Sequence, residues 1–96
     1  MKASELQIAD VVLSTTSAAV SKVIKTGTAA SYSHAMLYVG GGKVVEAVAN
    51  GVVHRSIKLA LSDARLASAF RLKTMTGEQA QKIADYAKSK VGGSYA

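Results

Sequence analysis

The sequence predicts an α+β domain in which a mainly antiparallel sheet of four to five strands packs with two main helices. Three observations lead there. The chain has 96 residues, enough for one domain, and its 49% hydrophobic and 19% charged content suits a buried core rather than a disordered chain. Short β-branched runs separated by glycine-bearing turns fill residues 33–53. A capped, amphipathic stretch closes the chain. The core is aliphatic, because the chain has no Trp, one Phe (Phe70) and four Tyr.

The elements follow in order. Ala9-Asp10-Val11-Val12-Leu13-Ser14 is a short apolar run that reads as a buried strand. Helical spacing of Ala19, Val20, Val23 and Ile24, with Thr15, Thr16 and Ser17 as N-cap candidates and Gly27 as a stop, predicts a helix over Thr16–Lys25. Small residues then form a loop to Tyr32. Ser33–Val39 and Lys43–Val48 read as a hairpin around Gly40-Gly41-Gly42, since glycine adopts the positive φ of tight hairpin turns without strain. Asn50-Gly51 is a second turn signal, leading into a third meander strand at Val52-Val53-His54. Ile57–Leu66 reads as a short helix or helical turn, and Ala69–Lys73 as a strand. Thr76–Val91 is the second main helix: Thr76 and Gln79 form a capping box, Ala80, Ile83, Ala84, Ala87 and Val91 an apolar stripe, and Gly92 a stop.

Composition excludes several kinds of chemistry. With no Cys, these residues hold no disulfide, no Cys-ligated metal and no thiol nucleophile. The carboxylates are too sparse for a glycosidase pair, and Gly40-Gly41-Gly42 lacks the Lys and helix of a phosphate loop. No cofactor is expected. The formal net charge of +6 favours anionic partners, but the basic residues are scattered and no nucleic-acid motif accompanies them, so no specific nucleic acid is expected. No apolar run is long enough to span a membrane. The N-terminus does not read as a signal peptide, so the expected site of synthesis is the cytoplasm, with a signal-independent route for any export to the envelope.

Alternation places His34, Met36 and Tyr38 on one face of the first hairpin strand and Val44, Glu46 and Val48 on one face of the second. Pairing Val39 with Lys43 sets Met36 opposite Glu46. His34 and Glu46 then become diagonal neighbours, roughly 7–8 Å apart at the backbone. A carboxylate at that place can fix the imidazole tautomer, as the third member of a catalytic triad does. The alternative is a strand-capping histidine and a solvent-facing glutamate. His54, beside Arg55, reads as a surface residue.

These segments together resemble the circularly permuted NlpC-like (YiiX-like, papain-like) cysteine hydrolases, more distantly lecithin retinol acyltransferase. The resemblance rests on Ala9-Asp10-Val11-Val12-Leu13, on Ser31-Tyr32-Ser33-His34-Ala35-Met36-Leu37-Tyr38-Val39-Gly40, on Val44-Val45-Glu46-Ala47, on Phe70-Arg71-Leu72 and on Gly92-Gly93-Ser94-Tyr95. It departs from the family pattern where Ala9 and Met36 replace glycines.

The resemblance implies a permuted papain-like core over residues 1–96, incomplete at the C-terminus. It implies His34 as general base and Glu46 as its polar partner, with Asp10 and Tyr32 as binding residues at the rim of a groove. It implies cysteine amidase or endopeptidase chemistry on cell-wall peptide, or on another amide or ester. The family's nucleophile is a Cys opening a helix after the Gly-x-x-Tyr segment. Two explanations for its absence stand open: the Cys lies beyond Ala96, or the chain is a non-catalytic binding module recruiting an anionic partner. The 96-residue chain is expected to be inactive and to self-associate through exposed sheet surface.

Overall fold

The computed structural model describes residues 2–16, 34–48, 51–62 and 64–93. After a 3-10 turn at Ala3–Glu5 come β1 (Val11–Thr16), β2 (His34–Gly40), β3 (Lys43–Val48), β4 (Gly51–Ser56), α1 (Ile57–Ala60), β5 (Ala64–Phe70) and α2 (Gly77–Ser89). The strands form one sheet in the order β4-β3-β2-β1-β5, and every neighbouring pair is antiparallel. This is the α+β architecture expected from the sequence.

Alternation along the strands gives the sheet two apolar faces. On one, Val12, Met36, Tyr38 and Val44 pack with Ile57 and Ala60 of α1, and Leu6 and Leu61 close the margin. On the other, Val39 and Val45 pack with Ala84 of α2, flanked by Ile8, Leu37, Val52 and Ala87. Val12 and Val44 are fully buried, and each contributes about 1.5–3 kcal/mol relative to exposure. Ala84 is also fully buried. Its small side chain lets α2 approach the sheet closely.

The β2–β3 hairpin departs from the expected register at its tip. Met36 faces Glu46 as expected, but Lys43 pairs with Gly40 instead of Val39, through an irregularity between Tyr38 and Gly40. The loop is therefore two residues, Gly41 and Gly42, with φ of +63° and +73°. Positive φ at both positions matches the twist of the strands, and Val39 is absorbed as a bulge. The Tyr38 hydroxyl accepts from the Gly42 amide at 2.9 Å and ties the loop to its own strand.

Three other expectations need revision or fall outside the description. Residues 17–25 of the expected helix Thr16–Lys25 lie outside the described residues. Thr15 and Thr16, expected as its caps, belong to β1 and pair with Leu66 and Ala64 of β5. The helix expected over Ile57–Leu66 stops at Ala60, and β5 begins at Ala64 instead of Ala69. The physical reason is tertiary: the free edge of β1 offers this segment a six-residue antiparallel partner, which outweighs its local helical preference.

α2 forms as its sequence signals predict. The Thr76 hydroxyl accepts from the Gln79 amide at 3.1 Å, and the Gln79 side-chain oxygen accepts from the Thr76 amide at 3.0 Å. Beyond its C-terminus the chain is laid against the edge of β4. Gly92 N–H donates to Val52 C=O at 2.9 Å, and Val52 N–H donates to Gly93 C=O at 3.1 Å. Among the described residues no helix is long and apolar enough to cross a membrane.

Candidate active site

Glu46 stands in the middle of β3 with a strand on either side. Its direct partners are Met36 on β2 and Val53 on β4. Two residues before Met36 lies His34, and two residues after Val53 lies Arg55. Both are therefore on the face of Glu46, at opposite diagonals. The side chain of Glu46 is fully buried, whereas those of His34 and Arg55 are 30% and 35% exposed. Glu46 Oε2 meets His34 Nε2, and Glu46 Oε1 meets Arg55 Nε. Apart from this ion-pair contact Oε2 has no hydrogen-bond partner among the described residues.

This contact has a consequence for the imidazole. A carboxylate only accepts hydrogen bonds, so an ionised Glu46 favours the His34 tautomer that carries its proton on the nitrogen facing it. In the neutral ring Nδ1 is then the lone-pair nitrogen and the atom able to take a proton from elsewhere. The arrangement is a partly exposed imidazole set against a fully buried carboxylate.

Asp10 occupies a different place. Its side chain is buried at the entrance to β1. Arg71, just past β5, donates from Nε to Oδ1 and from Nη2 to Oδ2, each at 2.8 Å. The Gln7 amide adds a third bond to Oδ2 at 2.8 Å. The hydrogen bonds from Arg71 hold the Asp10 carboxyl below its ordinary value, against the upward push of burial, with the Gln7 bond and the Arg71 charge adding to the lowering. Arg71 also donates to the Glu5 carbonyl at 3.1 Å. Asp10, expected at a binding rim, thus has both carboxylate oxygens engaged by its own chain, in the manner of a structural tie.

Tyr32, the other expected rim residue, lies outside the described residues. His54 pairs with Val45, so it is exposed on the face opposite Glu46. Arg55 escaped the sequence reading. The observed register, with Val48 paired to Gly51, sets Val53 opposite Glu46, and alternation then brings Arg55 to the diagonal. A cleft of about 510 Å³ lies along the sheet margin, lined by Lys2, Leu6, Asp10, Ala67, Ala69 and Arg71. Ala67 pairs with Ser14, which in turn pairs with His34, so the cleft opens on the histidine-bearing face. Among the described residues no group of three His, Cys, Asp or Glu could hold a metal ion.

The sequence as a whole has a counterpart among known proteins. A family model described as permuted papain-like amidase enzyme, YaeF/YiiX, C92 family, matches residues 5–96. The chain belongs to this family. Membership in the permuted papain-like amidases makes it an amidase- or peptidase-like domain. No curated protein and no solved structure matches the chain. The structure also rationalises one departure from the family pattern. Ala9, standing where the resemblance has glycine, adopts φ +74°, a left-handed conformation that glycine takes without penalty.

Proposed function

We propose that this chain carries the base and its orienting acid of a cysteine amidohydrolase that cleaves amide bonds, with bacterial cell-wall peptide as the leading substrate. The observation that carries the reading is the contact of His34 Nε2 with the buried Glu46 carboxylate, which leaves Nδ1 as the proton acceptor. The 96 residues hold no Cys, so the nucleophile is proposed to follow Ala96, at the start of a helix as in the family pattern.

The path of the chain supports this placement. β2 and β4 run in the same direction, each being antiparallel to β3. Their first residues, His34 and Gly51, therefore stand at the same end of the sheet. Gly92 and Gly93 are clipped to Val52 at that end, so the chain leaves α2 on the side where His34 is found. The net charge of +6 suits an anionic wall polymer.

In the proposed reaction, His34 Nδ1 takes the thiol proton and the thiolate attacks the amide carbonyl carbon. The imidazolium, stabilised by Glu46, returns the proton to the leaving amine. Water then hydrolyses the thioester, with His34 again acting as base. The test compares the 96-residue chain with a longer one extended through the next helix, using cell-wall peptides and simple amides. Activity is expected only in the longer chain and is expected to vanish with His34→Ala. Robust hydrolysis by the 96-residue chain itself defeats the proposal.

A further inference from the structure

The Glu46 carboxylate has two sides, and the amidase reading uses only one of them. Oε1 is met by Arg55 Nε from β4, across the strand from His34. We propose that Arg55 is a positioning residue of the site: it sets a countercharge against Glu46 and holds it in a single orientation, so that Oε2 remains available to His34. The inference rests on the reading of His34 and Glu46 as a dyad.

The argument begins with burial. A fully buried carboxylate without a countercharge either takes up a proton or turns toward water. A protonated Glu46 could donate to His34 Nε2 instead of accepting from it. The ring would then carry its lone pair on Nε2 and its proton on Nδ1, where a nucleophile needs the base. His34 cannot prevent this alone, because a neutral imidazole brings no charge.

Arg55 can, because a guanidinium brings the charge that the imidazole lacks. Its position is also set by the backbone. The β3–β4 ladder runs unbroken from Lys43↔Ser56 to Val48↔Gly51, so the diagonal from Val53 to Arg55 is held by paired strands on one side. Histidine and arginine approach from opposite diagonals, and each takes one oxygen. Rotation of the carboxylate would break both contacts together.

A purely structural arginine would stabilise the fold without affecting the imidazole, so the experiment reads the ring. The 15N-labelled 96-residue chain is examined by long-range 1H–15N correlation at a pH where the imidazoles are neutral, with exposed His54 as internal reference. His34 is expected to hold the Nε2–H tautomer by about tenfold or more, as a charge-assisted hydrogen bond implies. Arg55→Met is expected to bring His34 to the weak preference of an unrestrained ring, and Arg55→Lys to restore most of the bias. Glu46→Gln is the control for the dyad.

If Glu46→Gln leaves the His34 signals unchanged, the dyad fails, and this proposal with it. If Glu46→Gln releases the ring and Arg55→Met does not, the arginine proposal alone is overturned. An Arg55→Lys chain that behaves like Arg55→Met overturns it as well. Where Arg55→Met does not fold, the double variant Glu46→Gln/Arg55→Met decides. Recovery of the fold supports the charge pairing, and a double variant that stays unfolded overturns it.

Discussion

Asp10 and Arg71 face one another through two hydrogen bonds of 2.8 Å, across 61 positions of sequence. The pair joins the start of β1 to the end of β5, and a third bond from Arg71 fastens the N-terminal turn at Glu5. Because the Asp10 carboxyl titrates below its ordinary value, the folded state binds fewer protons there than the unfolded chain. Its contribution to stability is therefore complete above the unfolded carboxylate range. It is lost as pH falls through the lower, folded value. Urea midpoints measured from pH 6 downward are expected to decline in the acid range, and Asp10→Asn is expected to flatten the decline. An equally steep acid limb in Asp10→Asn would refute the assignment.

Ala9 offers a gain in stability. Its φ of +74° is unfavourable for a residue with a Cβ. Its amide is held by the Tyr38 carbonyl at 2.8 Å, so the conformation cannot relax cheaply. Ala9→Gly is expected to stabilise by about 0.5–1 kcal/mol, the relief of left-handed strain less the extra entropy of an unfolded glycine. A denaturant titration measures this directly, and a loss of stability would contradict it.

Gly51 presents the reverse case. It lies at φ +127°, and a Cβ there would stand 2.6 Å from the Gly93 carbonyl oxygen. That oxygen is the acceptor of the Val52 amide. Gly51→Ala is expected to destabilise by about 2 kcal/mol or more, the cost of backbone strain and a displaced contact. Amide exchange at Val52 and Gly92 is the specific reporter. Retained protection at both would show that the clip tolerates a side chain.

Thr76 closes an exposed capping box at the N-terminus of α2, the helix that packs on the sheet face opposite His34. Thr76→Ala is expected to cost about 1 kcal/mol in stability. The His34 imidazole spectrum is expected to stay as it is. A thermal melt and the same 15N experiment together check both halves of this statement.

The approach of His34 to Glu46 was legible because its geometry is local. Two short turns and strict alternation suffice to place Met36 opposite Glu46 and His34 on the diagonal. The slip at Val39 did no harm, since the bulge lies beyond the pair that matters. Arg55 obeyed the same rule on the other side. A basic residue at a strand end reads as surface, and only the buried Glu46 beside it sets Arg55 apart.

The β1–β5 pairing was not legible. Ile57–Leu66 contains enough helix-compatible residues to predict a helix, and nothing nearby in sequence reveals that β1 has an unfilled edge. Asp10 shows the same limit. Its partner Arg71 is distant in the chain, so local pattern does not reveal the ion pair.

The division between near and distant contacts bears on the order in which the molecule assembles. His34, Glu46 and Arg55 all belong to the three-strand meander of β2, β3 and β4, whose turns are short. Closing these loops costs little entropy, whereas bringing β5 and Arg71 back to β1 and Asp10 requires a much longer loop. The charges proposed for the site are thus drawn together by the fast, local half of the folding reaction. The slow, long-range half completes the sheet around them. Mutations that weaken the β1–β5 seam are accordingly expected to speed unfolding before they disturb the histidine.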